Sequence, residues 1–296
     1  MATKLGKLGV WAFIDNMTAL EAVRFAQQLE SWGYAALWIP EAVGRDPFSI
    51  ISFLAANTEK LIFATGIANI YARDPMAMNA IHKTISELAP GRFVLGLGVS
   101  HAPLVKDIRG HEYLKPVSTM KTYLESMKSA FYMGATAQEQ APIVLGALRQ
   151  KMLQLSAASV DGAHPYFVPP AHTAWARKIL GPDALLCPEQ MVLLETDADK
   201  ARRIARAHTT TYTGLDNYKN NLKQFGFVEA DFENGGSDKL VDAIVAWGDV
   251  QALRSRIQTH WDAGANHVCI QTLTDEVERG PDMALLELLA PLNTPL

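Results

Sequence analysis

Eight short apolar runs, each followed by a helical or turn-rich stretch, constrain the fold of this chain more than any other feature. They read KLGVWAF (7–13), YAALWIPE (34–41), KLIFATGIANI (60–70), RFVLGLGVS (92–100), PIVLGAL (142–148), DGAHPYFV (161–168), LLCPEQMVLLE (185–195) and NHVCIQTL (266–273). The runs are apolar on consecutive residues rather than on alternate ones, as parallel strands covered on both faces require. Helical patterns lie between them, over Leu20–Trp32 with Gly33 as the stop, Pro75–Leu88, Thr119–Tyr132 and Lys200–His208. Eight strands in a βα series predict a closed (β/α)8 TIM barrel, an α/β fold, occupying residues 1–296 as one unit. An open doubly wound sheet is the alternative. The stretch 214–250, with its NGGS turn at 234–237, reads as a helical insertion before the last strand.

The rest of the composition excludes more than it assigns. With 49% hydrophobic and 20% charged residues and a net charge of −4, the chain has the core of a globular enzyme and no basic surface to recommend nucleic acid. Cys187 and Cys269, the two cysteines, cannot cage a metal alone, and no HxH or HExxH spacing supplements them. No run approaches the ~18 apolar residues of a membrane span, and the N-terminal apolar run is too short for a signal peptide, so the chain reads as cytoplasmic.

GRFVLGLGVSHAP (91–103) places Gly96 and Gly98 as in a dinucleotide-binding loop, but that fingerprint needs a third glycine where His101 stands, and a helix opening at once. Pro103 and a turn-rich segment delay the next helical pattern to about Thr119, so the reading fails. In a barrel the chemistry belongs at the C-terminal strand ends. Those ends carry small, apolar and amide-bearing residues with few carboxylates, which argues against metallohydrolase and glycosidase chemistry and suits a flat organic cofactor.

GYAALWIPE (33–41), ATGIANIYARDP (64–75) and PGRFVLGLGVS (90–100) resemble successive strand motifs of the luciferase-like monooxygenase superfamily. The resemblance covers nearly the whole chain, including ILGPDALLCPEQMVLLETD (179–197) and LVDAIVAWGD (240–249), and is nearest to the actinobacterial branch that uses the deazaflavin coenzyme F420. It implies an F420-dependent oxidoreductase moving a hydride between the deazaflavin and a small organic substrate, and a homodimer. An FMN-dependent monooxygenase fed by a partner reductase, and a non-catalytic cofactor-binding barrel, are the other readings.

Carried over residue by residue, the resemblance implies a non-prolyl cis peptide at Gly66–Ile67, followed by Ala68, beneath the isoalloxazine ring. Glu41 matches the acid near the polar edge of the ring, Val99 and Ser100 the cofactor contacts after strand four. Gly146, Ala147, Leu148 and Arg149 match the turn that binds the phosphate-bearing tail with backbone N–H groups, with Lys151 adding charge; the second glycine usual in that turn is absent. Relatives place a histidine directly after the acid, where this chain has Ala42. His101 is the candidate substitute for proton handling, and an adjacent Glu41 is expected to raise its pKa. Gly96 and Gly98 are expected to keep the strand end slim for the ring. Trp11, Phe13, Trp38 and Tyr71 are candidate pocket walls, His164 an outside candidate for chemistry, and His82 a packed residue.

Overall fold

The computed structural model describes residues 5–276 and 280–293. Its elements in chain order are β1 (Leu8–Trp11), α1 (Ala19–Ser31), β2 (Ala36–Ile39), α2 (Pro47–Ala56), β3 (Ile62–Thr65), β4 (Ala68–Asn69), α3 (Pro75–Leu88) and β5 (Phe93–Gly98). There follow α4 (Pro116–Ser129), β6 (Ile143–Leu145), α5 (Gln150–Ser159), β7 (Gly162–Ala163), α6 (Pro170–Leu180), β8 (Leu185–Leu186) and β9 (Glu189–Leu194). The chain ends through α7 (Ala198–Thr213), α8 (Asp216–Leu222), α9 (Asp238–Ile244), β10 (Val245–Gly248), α10 (Val250–Asp262), β11 (Val268–Thr272) and α11 (Met283–Leu289). Side-chain caps fix where several helices begin: Asp46, Asp74, Asp197, Asp249 and Asp282 accept from first-turn N–H groups, and Thr18 closes a capping box with Glu21.

All the strand pairs are parallel, and the strands curl into the expected barrel. Val10 of β1 stands opposite Ile270 on one side and Leu37 on the other. β8 runs into β9 across Cys187–Pro188. Cys187 and Glu189 donate N–H groups to Ala163 and Pro165, while the Asn266 and Cys269 N–H groups reach Leu186 and Pro188, closing the ring. The predicted strands are all present; the third is divided at Gly66–Ile67, and its second part, β4, pairs with β5.

The insertion differs from its expected all-helical form. α8, two short 3₁₀ turns and α9 lead into β10, which pairs in parallel with β9, Val245 opposite Met191. Val-Ala-Trp follows a helical run without a break, so periodicity does not mark the change. The helix predicted over 200–208 extends over 198–213, and the one predicted from Thr119 starts at Pro116. Among the described residues, no helix is long and apolar enough to cross a membrane.

The core has three parts. Trp11, Ala36, Trp38, Ala64, Val94, Val144, Cys187 and Cys269 fill the barrel interior. A larger layer lies between strands and helices, with Leu37, Phe63, Phe93 and Leu95 fully buried. A third cluster, with Met191, Leu193, Tyr218, Leu222, Phe232 and Val241, anchors the insertion to the barrel. That anchoring brings α7 and α8 over the mouth.

Candidate active site

A cavity of about 940 Å³ opens at the C-terminal ends of the strands. Glu41, Gly66, Ile67, Val99, Ser100, His101, Gly146, Ala147, Leu148 and Arg149 all line it, so residues spread over more than a hundred positions meet in one place. Ala68 does not: it is fully buried in β4, opposite Leu97. The Gly66–Ile67 peptide is cis, and the Trp11 indole N–H donates to the Gly66 carbonyl at 2.9 Å.

The glycines of β5 do a different job from the expected one. A Cβ on Gly96 would collide with the Thr65 carbonyl oxygen, and one on Gly98 would lie 2.6 Å from Ile67 Cγ1. Both therefore make room for the neighbouring strand, with Gly98 letting the Ile67 side chain settle into the cavity floor. Ser100 follows at φ 55°, a left-handed turn rare for serine, with its carbonyl accepting from Tyr113 at 3.2 Å.

Glu41 is almost buried and fully engaged. Arg73 donates to its two oxygens at 2.7 and 3.0 Å, and the Asn69 N–H donates at 2.8 Å. Arg73 in turn pairs with Asp46. Glu41 thus lines the cavity as a held carboxylate and is not next to His101. His101 instead lies against the Tyr218 ring, 5.4 Å between centroids, with Asn217 as its hydrogen-bond partner. The expected rise in its pKa is reversed: burial holds the imidazole below its ordinary value, and the Asn217 hydrogen bond opposes this only in part.

The turn after β6, the exit of the fifth predicted strand, differs in detail from the expected one. The Gly146 N–H donates to Leu97 in the sheet at 2.8 Å, so it is not free for an anion. α5 begins at Gln150 without a side-chain cap beside Arg149 and Lys151, although the Met152 N–H already donates to the Arg149 carbonyl at 3.0 Å. Asn217, Asn220 and Gln224 complete this rim from the insertion.

Trp11 and Phe13 are pocket walls as expected. Trp38 is not: it is fully buried in the barrel, stacked on His164 at 4.4 Å and donating to His267 at 3.0 Å. Tyr71 packs instead against His111 and Tyr113, and His82 is buried with Nε2 2.7 Å from the Ala141 carbonyl. His164 lies at the cavity floor with Nδ1 2.7 Å from the Cys187 carbonyl, and burial pushes its pKa down to about 4, so it is neutral.

Sequence reasoning missed the aromatic lid. Tyr166, Tyr212 and Tyr218 pack together beside the cavity, with Tyr166 and Tyr212 hydroxyls 2.7 Å apart. Behind them Glu189 is buried; its pKa is pushed up to about 8 by burial, so it holds its proton at neutral pH. Tyr212 on α7 and Tyr218 on α8 carry no motif, and only the packing of these helices brings them beside Tyr166 at the cavity.

A parallel α/β barrel with an apolar cleft at its strand ends and a cationic, amide-rich rim places the chain in the TIM-barrel class. Residues 7–267 match the luciferase-like monooxygenase family, and the chain belongs to it. Over 96% of this chain and 98% of its own length, a Mycobacterium tuberculosis protein provisionally assigned as a coenzyme F420-dependent oxidoreductase is 22% identical. An F420-dependent secondary alcohol dehydrogenase, solved with an F420–acetone adduct, shares the fold at TM-score 0.75 and 13% identity, with 99% of this chain and 98% of that one covered. The oxygenating component of 3,6-diketocamphane monooxygenase from Pseudomonas putida, solved with FMN, superposes at TM-score 0.68, again at 13% identity, with 96% of each chain covered. The relatives support an oxidoreductase.

Proposed function

We propose that this chain is an F420-dependent oxidoreductase that moves a hydride between the deazaflavin and an organic substrate at the barrel mouth. The observation that carries this reading is the joining, in one cavity, of an apolar floor at Gly66–Ile67 with a rim of Arg149, Lys151 and three side-chain amides. A flat ring suits the floor. A phosphate followed by an anionic oligoglutamate tail suits the rim, because the start of α5, which has no side-chain cap, and two cations favour negative charge. FMN ends at its phosphate and would leave the outer rim unused. The M. tuberculosis relative and the solved alcohol dehydrogenase, by their names, point the same way.

F420, when bound, supplies the two-electron hydride. The chain's own residues would position the ring and govern protons. Ile67 and Val99 form an apolar floor, and Glu41, fixed by Arg73, keeps one negative charge at the edge of the site. His101, neutral and held by Asn217, suits a hydrogen bond to the reacting pair better than a standing positive charge.

Replacing Arg149 and Lys151 together by alanine tests the reading. F420 affinity, followed by quenching of the cofactor's fluorescence, should fall about tenfold at low salt, with the loss shrinking as salt screens exposed charge over ~10 Å at 0.1 M. Unchanged affinity would place the tail elsewhere.

A further inference from the structure

The order of the strands sets two sides of the cavity apart. β6, whose following turn carries Arg149 and Lys151, stands four places from β1 in the series β1-β2-β3-β5-β6. In a closed ring of eight that is directly across the mouth. A ring seated on Gly66–Ile67 with its tail running to Arg149 and Lys151 leaves the β1–β2 side for a second molecule, in the same space and against the same ring.

That side is walled by Trp11, Phe13, Pro40 and Ala42, with Leu104 and Tyr113 closing over it from the segment after β5. Its side-chain polar groups are already engaged. The Trp11 indole N–H donates to the Gly66 carbonyl at 2.9 Å, and the Tyr113 hydroxyl donates to the Ser100 carbonyl at 3.2 Å. Both Glu41 oxygens accept, from Arg73 and from the Asn69 N–H. Beyond Trp11 and Phe13 lies a second cavity of about 550 Å³, behind that wall and out of reach of the ring.

The charges narrow the ligand further. Among the described residues, the Lys and Arg that line the first cavity are Arg149 and Lys151, both across the mouth. Arg109 approaches the near edge, but it donates to the Ala42 carbonyl at 3.2 Å and does not line the space. Arg73 is shared between Glu41 and Asp46, so this group keeps one net negative charge. His101 is held below its ordinary pKa by burial and brings no positive charge at neutral pH. A carboxylate or phosphate placed on this side loses hydration, finds no counter-charge and faces Glu41.

We propose that the substrate is an uncharged, largely apolar molecule, packed against Trp11, Phe13 and Tyr113 on the β1–β2 side of the first cavity and in contact with the ring. The proposal rests on the cofactor reading, which places the ring and fills the cationic side with its tail.

Acetophenone and benzoate, similar in size and different in charge, serve as probes in saturation-transfer NMR on the full chain, with F420 bound so that its tail occupies the rim. Acetophenone should bind and show interligand nuclear Overhauser contacts to the deazaflavin, and benzoate should bind at least about tenfold more weakly. Phe13→Arg puts a cation on the side that lacks one, and Phe13 is 42% exposed, so the new side chain does not have to enter the core. It should tighten benzoate about fivefold, the strength of a part-exposed ion pair, with the gain shrinking as salt rises. The comparison of the two probes on the parent stands without the variant. Benzoate binding as tight as acetophenone or tighter, no acetophenone binding, no contact between acetophenone and F420, or a Phe13→Arg variant with the parent's benzoate affinity would overturn the proposal and leave the cofactor reading intact. Failure of F420 itself to bind, read by its fluorescence, would overturn the cofactor reading and this placement with it.

Discussion

Replacing Gly98 by alanine should damage the cavity floor in a way that its neighbour can undo. The backbone at Gly98 is not in the left-handed region, so alanine is allowed conformationally, and the effect must come from packing. The new methyl would lie 2.6 Å from Ile67 Cγ1, with Cδ1 closer still, well inside van der Waals contact. Overpacking of this kind costs about 1–3 kcal/mol, which for a chain of this size lowers Tm by about 2–10 °C. Because Ile67 lines the cavity, its displacement should also weaken F420 binding by about an order of magnitude. Urea denaturation and fluorescence titration read the two effects. Shortening the partner, Ile67→Ala, removes the atoms that collide. In that background Gly98→Ala should cost at least about 1 kcal/mol less, a coupling expected only for residues in contact. A Gly98→Ala variant as stable as the parent, or one equally damaged in both backgrounds, would refute the account of why glycine stands there.

Two further outcomes follow from buried groups. Glu189 has its pKa raised from 4.5 to about 8, so the stability tied to its proton is full below about pH 4.5 and is lost as pH rises toward 8. Against Glu189→Gln, the parent should therefore lose up to about 1.4 kcal/mol per pH unit between pH 5 and 8, seen as diverging urea midpoints; parallel curves would contradict this. His101, held down by burial, should titrate below 6.5 in histidine-detected NMR of the free protein, whereas a value above 6.5 would restore the carboxylate-paired proton donor that the structure replaces.

The barrel was legible in the sequence because parallel strands buried on both faces leave uninterrupted apolar runs, and each of the eight recurs as a strand. β10 escaped because Val245–Gly248 continues directly from α9, and four residues are too few for a period to show. The strand-end motifs placed Glu41, Gly66, Ile67, Val99, Ser100 and His101 in one cavity. They did not show what each touches. Glu41 looks the same in sequence whether it faces a histidine or, as here, Arg73 and the Asn69 N–H. Gly98 looks like a concession to a ligand, when its space is taken by Ile67. The lid was illegible for a different reason: Tyr212, Asn217 and Tyr218 belong to none of the strand-end motifs, and only the packing of α7 and α8 brings them over the mouth.

The central claim is that the first cavity is built for a deazaflavin with an anionic tail. Fluorescence titration of the full chain with F420 and with FMN at low salt measures it directly. The account predicts that F420 binds at least about tenfold more tightly, with the difference carried by Arg149 and Lys151. Equal affinities, or tighter FMN binding, would contradict it and favour a flavin monooxygenase.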